Sequence, residues 1–302
     1  MNTNDEEYVE GDWLKAGEIA AEALAFGEEL IKKGNRLLVV CDKIDDKIIE
    51  LGGIPAFPTQ ISCNEIAAHY CPAADDEIIF EDQVCCLDVG ASVNGAIGDN
   101  ALTVDLSGKH ADLVKASRDA LNNAIKVIQP GVRLGDIGKE IVDTITSYGF
   151  SPVKNLSGHG LGVYGIHTKP TVPNFDTGDP TTLEEGDIIA IEPFATDGKG
   201  MIYESGQQMS TIYALINKRP VRNLMVRDIL KDIESYKGLP FTTRWLTKKF
   251  PVGKVTFSLR QLSQLEIIKD YPPLIEQAKG LVSQAEHSVI VKDKPIILTK
   301  KS

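Results

Sequence analysis

The sequence lacks any apolar run that approaches the ~20 residues needed to span a bilayer, so we expect no membrane partner. Residues 1–7 are acidic and polar, which is not the pattern of a secretory signal. Cysteine is scarce, with five in 302 residues and no C-x-x-C pair. An odd set of this kind predicts reduced core thiols in a cytoplasmic protein rather than a disulfide framework.

An excess of basic residues is also missing. The net charge of −11 argues against nucleic acid as a partner, because phosphate contacts need clustered Lys and Arg. No Walker-type G-K-[ST] motif occurs. Residues 160–165 fit G-x-G-x-x-G, but Pro170 and Pro173 follow them where a dinucleotide site would begin a helix. The sequence therefore indicates no nucleotide-binding loop.

What is present is the composition of an ordinary globular protein, with 42% hydrophobic and 25% charged residues. The first predicted helix has one apolar face, formed by Leu14, Ala21, Leu24 and Ile31. Helical spacing and glycine stops predict helices at 12–34, 42–51, 110–128 and 135–148, with a loop at 54–63 and a helical turn at 64–69. The acidic runs at 42–46 and 75–77 are interpreted as solvated faces.

A β-hairpin is predicted over residues 84–105. Residues 84–89 form one strand, Asn94-Gly95 the turn, and residues 96–104 the return strand. This turn brings Asp88 and Asp99 to nearby rungs, within one residue of register. Two carboxylates on one side of a hairpin can share a metal ion.

A short internal repeat links residues 80–88 with residues 182–192. In each, an acidic turn precedes an apolar strand that ends in a carboxylate, Asp88 in the first and Glu192 in the second. A duplicated half-domain with a pseudo-twofold axis explains the repeat, and a site between the halves would draw acids from both. Residues 216–272 have a different character and predict a small helical insertion, whose Lys and Arg residues we interpret as a solvated face. Its helices are predicted at 221–236, 241–250 and 259–267.

Four carboxylates stand in short apolar or glycine-bracketed segments, namely Asp88, Asp99, Glu192 and Glu286. Burying an unpaired carboxylate costs several kcal/mol or forces it neutral. Two divalent cations would supply +4 against −4. His159 lies between two glycines, which leave room for close approach, and would complete the shell. Carboxylate oxygens with one imidazole suit Mn, Fe, Co or Zn, so the sequence predicts a dinuclear metal hydrolase.

Each of these residues, taken alone, has a simpler explanation. An acid at a strand end is most often capped or salt-bridged, and His69 on its own is at least as easily a satisfied core histidine. His167 is placed in a loop that faces the same cleft. His287 adjoins Glu286 on a strand, points to the opposite face, and is interpreted as structural. The dinuclear site is favoured because several acids share one unusual context, which would be costly in a marginally stable fold.

Together these residues resemble the type 2 methionine aminopeptidases, in the compact archaeal form without the N-terminal extension. The resemblance runs from about Gly11 to the C-terminus and depends on the order and spacing of several motifs. They are GIPAFP (53–58), NEIAAHY (64–70), LDVG (87–90), NLSGH (155–159), AIEPF (190–194), RWL (244–246) and Glu286-His287.

The resemblance implies an α+β pita-bread fold with pseudo-twofold duplicated halves. Residues 1–215 and 273–302 would form the catalytic domain, and residues 216–272 a winged-helix-like insertion. Two divalent metal ions per chain (Co, Mn, Fe or Zn) are implied. Asp88 would chelate one ion, His159 and Glu192 the other, and Asp99 and Glu286 would bridge.

The resemblance also implies the roles of the substrate site. His69 and His167 match the family's substrate-contacting histidines, and Glu192 is the candidate for proton transfer. Phe57 and Ile166 fall where the methionine pocket is lined, and the insertion helps to close that pocket. The implied activity is removal of methionine from peptide and nascent-chain N-termini, with preference for a small second residue. We expect a monomer.

Two departures from the family pattern occur. Ala285 stands where an aromatic residue usually precedes the bridging glutamate, and Asn94 stands where relatives often carry Asp. Neither removes a ligand. Two other functions remain open, an Xaa-Pro peptidase of the same fold and a non-catalytic binding relative. The insertion and the segment at residues 64–70 disfavour the first, and the presence of all five ligands disfavours the second.

Overall fold

The computed structural model describes residues 9–206 and 210–300 of the chain. Residues 1–7, from which the sequence predicts no secretory signal, lie outside the described residues. No helix in the described part is both long and apolar enough to cross a membrane. All five cysteines are free thiols, and four of them are buried.

The helices surround a set of antiparallel strands. The helices are α1 (Glu10–Leu30), α2 (Leu37–Glu50), α3 (Ala111–Val127), α4 (Leu134–Ser147), α5 (Leu224–Glu234), α6 (Thr243–Thr247) and α7 (Val252–Gln264). The strands are β1 (Ile54–Pro55), β2 (Gln60–Cys63), β3 (Ile66–Ala68), β4 (Val84–Val93), β5 (Ala96–Asp105), β6 (Ser151–Pro152), β7 (Ser157–Gly162), β8 (Gly165–Pro173), β9 (Ile188–Ile191), β10 (Phe194–Thr196), β11 (Ile202–Glu204), β12 (Ile212–Leu215), β13 (Phe241–Thr242), β14 (Ile268–Tyr271), β15 (Leu274–Glu276), β16 (Val282–Gln284), β17 (Glu286–Ile290) and β18 (Ile296–Ile297).

A nine-stranded sheet forms the centre of the molecule, in the order β1-β4-β5-β17-β9-β7-β8, with β2 paired to β4 and β18 paired to β17. Strand β17, the last but one in the described part of the chain, lies between β5 and β9, so it joins strands from the two parts of the chain that share the internal repeat. Three smaller three-stranded sheets complete the fold.

Two helix pairs cover this sheet, each with its own hydrophobic cluster. Helices α1 and α2 bury apolar side chains against β2, β4 and β5. Helices α3 and α4 do the same against β8, β9 and β17. Each fully buried Leu or Ile contributes roughly 1.5–3 kcal/mol. Helix α1 approaches strand β5 closely because Gly98 has no side chain. A Cβ at this position would lie 2.6 Å from the carbonyl oxygen of Ala16.

The predicted hairpin is present, with its turn at Asn94-Gly95, where both residues have positive φ. Strand β4 extends to Val93, beyond the predicted end at Val89. Helices α3 and α4 match their predicted positions within two residues. These elements follow local signals, namely alternation, turn residues and helical spacing.

Several predicted elements are wrong where strands pair with distant partners. The predicted loop at 54–63 contains β1 and β2, and the predicted helical turn at 64–69 contains β3. Pro55 is tolerated because β1 is an edge strand, where a missing N–H leaves no ladder bond unmade. The predicted helix at 241–250 begins as β13, which pairs with β12. His167, predicted in a loop, lies in β8.

Helix ends also differ from the predictions. Helix α1 ends at Leu30 rather than residue 34, and Leu14 on its predicted buried face is exposed. Helix α2 begins at Leu37, five residues before its predicted start. Helix α5 is shorter than predicted, and α7 begins at Val252 instead of residue 259.

Helices α5, α6 and α7 and strands β12–β14 share a further hydrophobic cluster, and all of these elements except β12, which directly precedes it, lie within the predicted insertion. The prediction that its basic residues form a solvated face is wrong for Arg244, which is 1% exposed. The prediction of a solvated face at 42–46 is likewise wrong for Asp45, which is 4% exposed. These two residues form an ion pair with each other. The division of the chain at residues 215 and 273 stays a prediction.

Candidate metal centre

Neighbouring strands of the large sheet bring the predicted carboxylates to one face. Asp88 on β4 pairs with Ala101 on β5, and Glu286 on β17 pairs with the same Ala101 from the other side. Asp99 precedes Ala101 by two residues, so its side chain points to the same face. Asp88, Asp99 and Glu286 therefore surround one point on three adjacent strands.

Glu192 and His159 extend this group across the next two strands. Glu192 follows β9 directly, and β9 pairs with β17. His159 on β7 pairs with Ala190, which precedes Glu192 by two residues. The five side chains therefore follow the spatial strand order β4, β5, β17, β9 and β7, which differs from their order in the sequence.

The distances within this group are short. Asp99, His159 and Glu286 each present a potential ligand atom, and these atoms lie within 4.8 Å of one another. His159 Nε2 lies 3.8 Å from Asp99 Oδ2 and 3.7 Å from Glu192 Oε1. Asp99, His159 and Glu286 are all buried.

Burial and mutual repulsion disfavour negative charge on these carboxylates. Burial raises the pKa of Asp88 to about 7. Burial, together with the charge of Asp88, also raises the pKa of Asp99 well above its usual value. The pKa values of Glu192 and Glu286 are raised by burial and by their acidic neighbours. Four carboxylates buried this close together must therefore either bind protons or contact cations that neutralise their charge.

Two observations show that the site fits divalent cations. Asp88 Oδ1 and Asp99 Oδ1 are buried and have no hydrogen-bond partner among the described residues. Burial lowers the pKa of His159 to about 3, so its ring is neutral. His159 Nδ1 lies 3.2 Å from the carbonyl oxygen of Gly160, to which it can only donate, so Nε2 carries the free lone pair. Hard oxygens and one imidazole nitrogen are a ligand set for divalent transition metals.

All the predicted site residues line one cavity of about 510 Å³. They are Phe57, His69, Asp88, Asp99, His159, Ile166, His167, Glu192 and Glu286. Phe57 and Ile166 belong to one hydrophobic cluster, and Phe57 is buried. The structure therefore brings the carboxylates, the histidines and an apolar wall to a common space.

Two histidines of this cavity adopt left-handed backbone conformations, with φ of 65° at His69 and 58° at His167. Such conformations are uncommon outside glycine and concentrate at functional sites. Burial lowers the pKa of His69 to about 4, and its Nδ1 has no partner within the described part of the chain. The rings of His167 and His159 lie 4.6 Å apart. His287 contacts Thr299 instead of the cavity.

Sequence reasoning missed several residues of the site. Buried Gln284 lies beside the carboxylates and donates from Nε2 to Glu192 Oε2 at 3.4 Å and to Glu286 Oε2 at 3.5 Å. Its spacing of two from Glu286 is the signal that would have found it, since such residues share a strand face. Lys269 and Tyr271 line the cavity, and no local pattern marks them.

Comparison with known proteins places these features in context. The family model of metallopeptidase family M24 matches residues 13–222. The chain is 46% identical to the methionine aminopeptidase of Archaeoglobus fulgidus and 44% identical to that of Thermococcus onnurineus, over 95% of this chain and 97% of each relative. The crystal structure of a methionine aminopeptidase from Thermotoga maritima matches with a TM-score of 0.70 at 24% identity, covering 96% of both chains. The predicted pita-bread fold is confirmed.

Proposed function

Because this chain belongs to metallopeptidase family M24, among the type 2 methionine aminopeptidases, we propose that it removes the N-terminal methionine from peptides and nascent proteins. The observation that carries this proposal is the convergence of four carboxylates and a neutral imidazole in one cavity with an apolar wall. The chain is a metallo-aminopeptidase that uses divalent metal. Substrate selectivity and residue roles are our proposal.

We propose two metal ions of the set Co, Mn, Fe or Zn. Asp88 would hold one ion and His159 with Glu192 the other, while Asp99 and Glu286 would contact both. The position of Asp99 and Glu286 on strands between β4 and β9 supports this assignment. When bound, such cations polarise a peptide carbonyl and lower the pKa of water.

The side chains around the cavity would move the protons. Glu192 is our candidate to accept a proton from the attacking water and return it to the departing amine. The side-chain amide of Gln284 donates a hydrogen bond to Oε2 of Glu192 and would thereby orient this carboxylate. Neutral His69 and His167 would hydrogen-bond the carbonyl oxygen or the scissile amide as charge develops there. The unpartnered Nδ1 of His69 supports this role.

The apolar wall would select the first side chain of the substrate. Phe57 and Ile166 would contact a methionine, whose flexible thioether fits an apolar slot with an aromatic lining. Pro240 and Tyr271, from residues 216–272, line the same cavity, which supports a role of the insertion in closing the pocket. A confined space beyond the scissile bond would favour a small second residue.

The remaining predictions concern the chain's surroundings. We propose that it acts as a cytoplasmic monomer on free N-termini, without nucleic acid or membrane as a partner. The division into a catalytic domain (residues 1–215 and 273–302) and an insertion (residues 216–272) is likewise proposed.

The test is hydrolysis of Met-Ala-Ser by chelator-stripped protein to which each metal is added separately, with Ala-Pro as the competing substrate. We expect release of methionine only after metal addition, and no cleavage of Ala-Pro. The stripped protein without metal is the control. Cleavage of Ala-Pro in preference to Met-Ala-Ser would assign the chain to the Xaa-Pro peptidases instead, and no cleavage of either would favour a binding protein.

A further inference from the structure

A buried ion pair connects two distant parts of the chain. Arg244 on α6 is 1% exposed. Its Nη1 donates to Asp45 Oδ2 at 2.6 Å and to Asp42 Oδ1 at 3.0 Å, both on α2. Arg244 Nε and Nη2 have no hydrogen-bond partner among the described residues. The compensation of this buried charge therefore depends on the two aspartates.

Asp45 makes further contacts that Asp42 does not share. Its Oδ2 also accepts a hydrogen bond from Trp245 Nε1 at 2.8 Å. Its Oδ1 accepts from Thr59 twice, from the hydroxyl at 2.7 Å and from the backbone N–H at 3.2 Å. Asp45 thus uses one oxygen for α6 and the other for Thr59, whereas Asp42 contacts Arg244 and Lys248.

Thr59 does not itself line the cavity described above, but it lies between two residues that do. Phe57 and Gln60, on either side of it, both line that cavity. The ring of Phe57 packs against Gly90 of β4 so closely that a Cβ at Gly90 would overlap it. Gln60 Oε1 accepts a hydrogen bond from the backbone N–H of His69 at 2.9 Å. Contacts that hold Thr59 in place therefore constrain the segment that carries Phe57 and Gln60 and, through Gln60, the backbone at His69.

The segment that contains Arg244 contributes other lining residues of the same cavity. Pro240, which precedes β13 and α6, lines the cavity, and Tyr271 at the end of β14 does as well. Strands β13 and β14 both pair with β12. The carboxylate of Asp45 thus contacts both of the segments that supply these lining residues, through Thr59 on one side and through Arg244 and Trp245 on the other.

We propose that Asp45 is a positioning residue that sets the width of the pocket for the substrate's first side chain, and thereby its selectivity for methionine. This inference rests on the proposed function. It follows because a pocket that widens by 0.5–1 Å loses roughly a quarter to a half of each dispersion contact. An unbranched side chain gains most from a narrow slot, so widening should reduce the preference for methionine over branched leucine.

The experiment compares Met-Ala-Ser with Leu-Ala-Ser in wild type and three variants. Asp45→Asn should lower the methionine-to-leucine ratio of kcat/KM about fivefold or more, mainly through a higher KM for methionine. Thr59→Val removes the hydroxyl contact but keeps the ion pair, and should lower the ratio about twofold. Asp42→Asn is the matched control, because it removes the same charge beside the same Arg244 without touching the cavity wall. It should leave the ratio unchanged.

Metal content and thermal unfolding are measured for every variant, so that lost folding is separated from altered selectivity. If Asp45→Asn does not fold, Thr59→Val decides the question. A wild type that fails to cleave Met-Ala-Ser would remove the proposed function. An active wild type whose ratio is unaltered by Thr59→Val and Asp45→Asn, or altered equally by Asp42→Asn, would overturn the positioning role alone.

Discussion

Two groups of buried charge in this protein are built on opposite principles. In the metal centre, four carboxylates share one face of the sheet, and their pKa values are raised by burial and mutual repulsion. Around Arg244, two carboxylates share one guanidinium and the cluster carries its own counter-charge. The negative charge of the first group requires added cations, whereas that of the second is compensated by a side chain of the same protein. Burial alone therefore does not distinguish a functional acid from a structural one; the sign of its neighbours does.

The largest expected effect separates the two groups by activity. Asp99→Ala and Glu286→Ala should each reduce Met-Ala-Ser hydrolysis about 10³-fold or more and lower the bound metal, because both residues would contact both ions. Rates and metal content measured on the same preparation check this. Glu204→Ala is the control, since Glu204 is an exposed acid at the cavity outside the carboxylate group. Normal hydrolysis by either ligand variant would refute the metal assignment.

The second prediction concerns stability at the mixed-charge group. Arg244→Met should lower the free energy of unfolding by about 3–5 kcal/mol, because Asp45 is left as an uncompensated buried charge. Urea unfolding measures this. Lys248→Met breaks only the half-exposed pair with Asp42 and should cost at most about 1 kcal/mol. Equal losses in the two variants would mean that burial does not decide the cost.

A third group sharpens the comparison, because a buried carboxylate is compensated there by backbone alone. Glu276 accepts hydrogen bonds from the N–H groups of Lys199, Gly200, Ala278 and Gly280. Burial raises its pKa, but these donors outweigh burial and hold the pKa below its usual value. Glu276→Gln should lower the free energy of unfolding by about 1–3 kcal/mol, since the NH2 group of the glutamine would face backbone N–H groups and leave them without an acceptor.

The pH dependence gives Glu276 a second readout. A lowered pKa in the folded state stabilises the fold above the unfolded pKa, and this contribution is lost as pH falls through the folded pKa. The wild type should therefore lose more stability than Glu276→Gln between about pH 5 and pH 3. Parallel acid profiles for the two proteins would contradict the role of the backbone donors.

The smallest expected effect is a gain in thermal stability instead of a loss. In metal-free protein, Asp88→Asn should raise the Tm at pH 8 by about 3 °C, because it removes one of four repelling carboxylates. The pKa of Asp88 in the folded protein is raised to about 7, so the penalty is absent below the unfolded pKa, grows as pH rises between the unfolded pKa and 7, and is complete above 7. The gain should therefore vanish near pH 4. With metal present, the same variant should be less stable than wild type, which calorimetry with and without chelator will show.

Much of the metal centre was predictable from the sequence. Asp88 and Asp99 lie on a hairpin whose turn, Asn94-Gly95, is a strong local signal, and the structure places them two rungs apart on one face. Family motifs pointed to His159, Glu192 and Glu286, and the structure places these three residues in the same cavity; their role as ligands stays a prediction. The edge strands at residues 54–68 were missed because their pairing partners lie elsewhere in the chain. Gln284 has a local signal in its spacing of two from Glu286, but its contact with Glu192, which is 92 residues away in the chain, is visible only in the structure.

What the sequence determined by itself is the chemistry: which acids stand in apolar segments, where the hairpin turns, and which family the motifs match. These depend on residues close together in the chain, so local propensity and spacing reveal them. Only the tertiary structure decided which buried acid has a partner. The sequence analysis interprets Asp45 as one of three aspartates on a solvated face, yet Asp45 pairs with Arg244, 199 residues away. Charge compensation acts over a few ångströms in space, and only folding determines which distant residues come within that range.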